Sequence, residues 1–296
     1  AYEVMKGNNA AAVGAALSCP DVIAAYPITP QTPIVEYLTQ FAADGKLDST
    51  LSEVESELSA ISILTGASLA GSRTFTATSS QGLSLMYEPY FRVSTLRLPV
   101  VMAIVNREMI SPQTVWGGPQ DSLSVRDSGW LQLYVEDNQE ILDTIIQAFK
   151  IAENKDVLLQ INVAYDGFYL SHMTEKVFIP EQEKVNDFLP DYKPEHIKLD
   201  PQKPMAVDPL TNGDLLMEYR HKHLKAQQNA LEIINEVDEE FEEIFGRGYG
   251  GLIEEYRCED AEVVIVTMGS MTGAGKEAVD IKRKEGIKVG LVKVRA

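Results

Sequence analysis

A chain of 296 residues, 45% hydrophobic and 8% aromatic, is long enough to bury one large core and part of a second. Its formal net charge of −18 opposes binding to a phosphate backbone, and no run reaches the roughly 20 apolar residues of a membrane span, so neither nucleic acid nor membrane is expected as a partner. The two cysteines, Cys19 and Cys258, lack the CxxC or Cys/His spacing that holds zinc or an iron–sulfur cluster, so any redox metal is expected on another chain.

From the N-terminus to about residue 170, apolar runs of strand length alternate with segments of helical period. That is the pattern of an α/β domain with a largely parallel sheet. Strands are predicted at Asp21–Tyr26, Thr50–Val54, Arg73–Ala77, Pro99–Val105 and Val157–Val163. Helices are predicted at Asn9–Leu17, Thr32–Ala43, Glu57–Ala70, Gln81–Ser94 and Asn138–Glu153. Thr32 reads as a helix cap, because its hydroxyl can satisfy free amides while Pro33 fits the first turn.

Residues 179–207 are rich in Pro, Asp and Lys and read as an extended surface connection with no core strand. Asp214–Phe245 reads as one long polar helix whose acidic end is a solvated face with Val237, Phe241, Ile244 and Phe245 at helical spacing. A strand at Glu262–Thr267, a helix at Thr272–Lys284 and a strand at Ile287–Val294 then open a second α/β unit. Two strands and one helix cannot cover both faces of a parallel sheet. Either the polypeptide continues or a partner completes that sheet. The expected division is 1–178, 179–258 and 259–296.

Three places can carry chemistry. Tyr26-Pro27-Ile28-Thr29-Pro30 closes the first strand, where open α/β sheets gather ligands; its two prolines can aim Thr29 at a small anion or carbonyl, and they equally suit a stiff turn. Glu55 and Glu57 open an apolar helix, where acids complement the helix dipole and where one buried carboxylate can exchange a proton with a heterocycle. Arg107 follows the very apolar run from Leu98 to Val105 and is placed to take a carboxylate in bidentate fashion; a salt bridge to Glu108 or Asp121 is the structural alternative.

The loop Glu108–Ser128, with Pro112, Trp116, Gly117, Gly118 and Pro119, suits a lid or a subunit contact. Gly269–Glu277 imitates a phosphate loop but carries Ser270 where the first glycine belongs and Glu277 where the magnesium-binding hydroxyl belongs. A glycine-rich turn that packs a helix on a strand explains it.

YPITPQTPIVEYL at 26–38, VESELSAISILTGASLAGSRTFTATSSQGLSLM at 54–86, Asn106-Arg107, RDSGWLQLYVEDNQE at 126–140 and YDGFYLSH at 165–172 together resemble the alpha subunits of the 2-oxoacid:ferredoxin oxidoreductase family, of the pyruvate (pyruvate synthase) type. IEEYRCEDAEVVIVTMGSMTGAGKEAVD at 253–280 resembles the start of their second domain. The resemblance implies a thiamine-enzyme pyrimidine-type domain followed by a transketolase C-terminal-like one.

It also implies reversible, coenzyme A-dependent oxidative decarboxylation of a 2-oxoacid in the cytoplasm, with ferredoxin as electron acceptor. The thiamine diphosphate would be shared with a beta subunit that binds the diphosphate and Mg2+. Gamma- and delta-type subunits would complete the assembly, with [4Fe–4S] clusters on partners. Glu57 matches the glutamate that bonds the aminopyrimidine, and Thr29 and Arg107 match the substrate-binding pair.

Trp116-Gly117-Gly118-Pro119-Gln120-Asp121 departs from the Asp-His-ended loop common in pyruvate-type relatives. Substrate identity therefore stays open between pyruvate and 2-oxobutyrate, a branched-chain oxoacid or 2-oxoglutarate. A noncatalytic assembly paralogue is the remaining alternative.

Overall fold

The computed structural model describes residues 1–296. Its first element, β1 (Tyr2–Lys6), leads into α1 (Gly7–Leu17), β2 (Val22–Ala25), α2 (Thr32–Ala43), β3 (Thr50–Glu53), α3 (Glu57–Leu69) and β4 (Thr74–Thr78). There follow α4 (Gln81–Leu85), α5 (Tyr87–Leu96), β5 (Val100–Asn106), α6 (Gln120–Ser124), β6 (Leu131–Tyr134), α7 (Asn138–Glu153) and β7 (Ile161–Asp166). β2 to β7 form one parallel sheet in the order β3-β2-β4-β5-β7-β6.

β5 is buried along its whole length because helices cover both faces of the sheet. Val101, Ala103 and Val105 pack with α1 and α7, whereas Val100, Met102 and Ile104 pack with α3 and α5. That alternation is the period of two expected of a strand, and each buried Val or Ile contributes about 1.5–3 kcal/mol of transfer free energy. The carboxyl ends of β2, β4, β5 and β7 consequently share one edge.

Four differences from the sequence expectations have physical causes. The helix expected over Gln81–Ser94 breaks into α4 and α5, because Pro89 has no amide to donate to Leu85 and its ring crowds that carbonyl. Gln31, not Thr32, occupies the helix-capping position of α2, and no side chain closes the cap. The strand expected at Val157–Val163 starts only at Ile161, since Val157–Gln160 is buried, irregular chain with Leu158 at φ 45°. Finally, the connection after residue 179 contains a short helix, α8, introduced next, whose Val185 and Phe188 enter the core.

β1 pairs antiparallel with β8 (Thr174–Phe178) beside the main sheet. After α8 (Gln182–Phe188) comes α9 (Gly213–Phe245), 33 residues and about 50 Å long. Asn212 caps it by accepting from the Leu215 amide at 3.1 Å, and Gly246 at φ 72° ends it. Its buried stripe, Ala226, Ala230, Ile234, Val237 and Phe241, packs on α7 and α8, with Phe188 and Phe241 edge to face at 5.3 Å.

A second, three-stranded sheet follows in the order β10-β11-β9, from β9 (Ile253–Tyr256), β10 (Val263–Thr267) and β11 (Val289–Val294), with α10 (Met271–Lys284) between the last two. The antiparallel β9 adds to the expected strand–helix–strand. β10 forms an edge on which Val263, Val264, Ile265 and Val266 are all exposed. Gly275 lets α10 approach β11 closely, since a β-carbon there would lie 2.5 Å from Leu291 Cδ1. The glycine-rich turn is thus explained by packing, and Lys276 is engaged by Glu136 and Glu254 at 3.0 and 2.8 Å.

The two sheets are joined by buried charge. β11 puts Val289, Leu291, Lys293 and Arg295 on one face, and both cations are essentially inaccessible. Lys293 donates to Glu140 at 2.7 Å and lies 2.9 Å from Glu136. Arg295 donates to Glu140, Thr144, Gln147 and the Gly251 carbonyl. Each charge is matched, which is what lets such groups lie inside.

Candidate active site

Arg107 is the residue after β5, and its side chain is buried beneath the edge just described. Its guanidinium donates from Nη1 to the Thr29 carbonyl at 2.7 Å and from Nη2 to Gln81 Oε1 at 2.7 Å. Neither acceptor is charged, and Nε, also buried, has no partner. The salt bridge weighed from the sequence does not form. Asp121 accepts the Arg107 backbone amide at 3.0 Å instead, and Glu108 turns toward Gly118. A buried guanidinium without a carboxylate costs several kcal/mol relative to water, so this one stands ready for an anion.

Glu57 is the first residue of α3, whose cap is made by Ser56 accepting from the Ser59 amide at 3.3 Å. This turn settles which glutamate faces inward. Glu55 is exposed and accepts from the Ser59 hydroxyl, whereas Glu57 is only 4% exposed. Desolvation pushes the Glu57 carboxyl above the usual carboxylate range, opposed only by its own backbone amide. Gly82 makes room for it: a β-carbon there would meet Thr78 Oγ1 and lie 2.5 Å from Glu57 Oε1.

Gln81 touches Arg107 and its neighbour Gly82 faces Glu57, so the short segment Ser80–Gly82 lies between the two groups. Thr29 joins them through its carbonyl, leaving its exposed side chain free of the guanidinium. Three residues 28 to 78 positions apart in sequence thus meet at one sheet edge. Buried polar atoms without partners cluster on the same segments, at Gln31 Nε2, Thr78 Oγ1 and Ser79 Oγ. In most protein interiors such atoms are paired, so these three are free to accept or donate to a group bound at this edge.

The loop after Arg107 closes over the end of β7. A β-carbon on Gly117 would sit 2.7 Å from the Gly167 carbonyl, and Gly167 itself abuts the Asn106 carbonyl and Pro30. Trp116 packs on Phe168 and Tyr169 with ring centroids 5.2 and 5.8 Å apart, and Phe168 stacks on His172 at 4.6 Å. The segment YDGFYLSH therefore supplies a wall beside Thr29 and Arg107.

Residues 13–239 match the family model described as pyruvate flavodoxin/ferredoxin oxidoreductase, thiamine diphosphate-binding, and residues 261–296 match pyruvate:ferredoxin oxidoreductase core domain II. The chain belongs to the pyruvate:ferredoxin oxidoreductase family. One relative is pyruvate synthase subunit PorA of Methanocaldococcus jannaschii, 51% identical across 99% of this chain and 76% of the relative. Another is the NADH-dependent phenylglyoxylate dehydrogenase subunit alpha of Aromatoleum evansii, 48% identical across 98% and 71%. Among solved structures, the family fold appears in a 2-oxoglutarate:ferredoxin oxidoreductase from Magnetococcus marinus, with a TM-score of 0.77 at 23% identity, covering 99% of this chain and 53% of that one. No helix is long and apolar enough to cross a membrane.

Sequence reasoning missed two parts of this edge. Gln81 gave no signal, because its partner is 26 positions away. Asp121 is read from the sequence as a counter-ion for Arg107 and as the end of the departing loop, not as an anchor for backbone amides. Its real partners are the amides of Ser80, Arg107 and Ser122 and the Asn106 side chain.

Proposed function

We propose that this chain is the thiamine-site subunit of a 2-oxoacid:ferredoxin oxidoreductase that oxidatively decarboxylates pyruvate with coenzyme A as acyl acceptor. The observation that carries the proposal is the pair of unmatched buried groups at one sheet edge. An arginine without a carboxylate and a glutamate without a cation flank the segment Ser80–Gly82. The names of the relatives support the oxidoreductase chemistry, and the thiamine description of the family model supports the cofactor.

The residues present fit thiamine diphosphate on its pyrimidine side. Glu57 is a buried carboxyl, pushed above the usual carboxylate range by desolvation, that can bond a ring nitrogen, and Thr78 and Ser79 offer unpaired hydroxyls nearby. When bound, the cofactor supplies the electron sink for loss of carbon dioxide. Glu57 holds and exchanges the proton at the ring nitrogen, and desolvation favours its protonated form relative to a solvent-exposed glutamate. Arg107 takes the oxoacid carboxylate, and the Thr29 hydroxyl orients the oxoacid beside it.

A beta subunit that binds the diphosphate and Mg2+, gamma- and delta-type subunits with [4Fe–4S] clusters, and ferredoxin complete the reaction in this reading, and the relatives' own names as subunits support the need for partner chains. The cytoplasm is the compartment that suits it. We assign residues 1–178 to the cofactor and substrate domain, 179–258 to the connection and long helix, and 259–296 to the start of the second domain.

The decisive experiment expresses the chain with its partner subunits and follows oxoacid- and coenzyme A-dependent reduction of ferredoxin. Arg107→Ala and Glu57→Ala are each expected to abolish it. Near-normal turnover in both variants overturns the assignment. A panel of pyruvate, 2-oxobutyrate, branched-chain oxoacids, 2-oxoglutarate and phenylglyoxylate identifies the substrate, and a preference for any but pyruvate corrects that part of the reading.

A further inference from the structure

The turn between β4 and α4 hangs on one residue. Ser80 sits at φ 49°, ψ −119°, where a β-carbon is crowded and glycine is the ordinary occupant. It is a serine, fully buried, and so must be held there by its surroundings.

The holder is Asp121. Its Oδ2 accepts from the amides of Ser80 at 2.8 Å and Arg107 at 3.0 Å, and its Oδ1 accepts from Asn106 Nδ2 at 2.7 Å and the Ser122 amide at 2.8 Å. Four donors thus fill the four acceptor positions of one inaccessible carboxylate. The same turn carries Gln81, whose Oε1 accepts from the Ser80 hydroxyl at 2.6 Å and from Arg107 Nη2 at 2.7 Å. Arginine can only donate, so the orientation of that amide is fixed by chemistry.

We propose that Asp121 is a positioning residue for substrate binding: by pinning the strained Ser80 and the Arg107 backbone with one carboxylate, it sets the Gln81 amide against the guanidinium. Arg107 then meets the carboxylate of the 2-oxoacid in a single orientation. This rests on the reading of Arg107 as the partner of that carboxylate. Asp121 itself touches neither substrate nor cofactor, since it lies wholly beneath the turn.

The test compares Asp121→Asn, Ser80→Gly and the double variant in the assembled complex. An amide at 121 keeps one acceptor oxygen and turns donors toward donors. Asp121→Asn is expected to raise KM for the oxoacid about tenfold or more, with kcat within about threefold, because the loss falls on carboxylate binding. Ser80→Gly alone also removes the hydroxyl that donates to Gln81, so it supplies the reference KM, and the double variant is expected within about threefold of that reference, because glycine adopts this backbone without a pin. If Asp121→Asn does not assemble, the double variant does, with KM near that of Ser80→Gly.

A wild-type KM in Asp121→Asn overturns the proposal. So does a double variant no better than Asp121→Asn in either KM or assembly. A wild-type complex that turns over no 2-oxoacid sinks the functional reading instead. Thermal melting of the four proteins then decides whether the carboxylate holds the turn, the expected result being that Ser80→Gly restores what Asp121→Asn loses.

Discussion

Charge is buried in two regions of this molecule, and it is treated in opposite ways. At the junction of the two sheets, Lys293 and Arg295 meet Glu140 and Glu136, and the uncharged donors and acceptors around them are bonded as well. At the carboxyl edge of the parallel sheet, Arg107 binds only neutral oxygens and Glu57 has no cation. Matched burial rigidifies a joint, whereas unmatched burial stores an affinity for something absent from the chain. The difference separates a structural use of charge from a functional one without reference to any relative.

Truncation should break the two regions differently. Arg295→Ala leaves buried Glu140 sharing the single cation Lys293 with Glu136, strips the donors from Gln147 and the Gly251 carbonyl, and is expected to lower stability by about 3–5 kcal/mol, read from the urea midpoint. Arg107→Ala removes a charge that no carboxylate balances, and stability should change by no more than about 1 kcal/mol while oxoacid turnover is lost. Equal destabilisation by both variants would erase the distinction.

Gly82→Ala probes the crowded side of the site. The added methyl must displace the Glu57 carboxylate or α4, so kcat/KM is expected to fall by up to about a hundredfold, with weaker binding of thiamine diphosphate by titration. A silent Gly82→Ala would mean that the carboxylate is free to move.

The smallest effect is on pH. Burial raises the Glu57 pKa, so the folded state holds that proton more tightly than the unfolded chain does. Its contribution to stability is therefore complete at low pH and is lost as pH rises through the raised value. Glu57→Gln lacks this loss. Its melting temperature relative to the wild type should rise with pH above the ordinary carboxylate range and be flat below it. A constant offset at all pH values would show that Glu57 is not desolvated.

The strands that line the site were legible because β2 and β5 read as short apolar runs and β4, TFTAT, is wholly β-branched, aromatic or small. β1 and β8 were not, since only Met5 and Val177 along them are buried and neither alternates cleanly. β6 offered only four residues between a loop and a helix cap. Thr29 and Arg107 could be named from their places at strand ends and the pair Glu55 and Glu57 from a helix start, the choice of Glu57 coming from the family resemblance, but what each would touch could not be read. The Arg107 partners come from two other strand ends, and a sequence does not show which carbonyl will face a guanidinium. The junction had one overlooked signal: Val289, Leu291, Lys293 and Arg295 alternate onto a single face, which puts two cations where apolar residues precede them.

Asp166, the last residue of β7, accepts from the amide and hydroxyl of Ser270 at the start of α10, while the next residue, Gly167, is pressed against Asn106 and Pro30. One peptide unit thus serves both the second sheet and the wall of the pocket. Adjacent residues at the end of β7 therefore tie the start of α10 and the backbone beside Thr29 to the same stretch of chain, so the two sheets share an anchor as well as a charged joint.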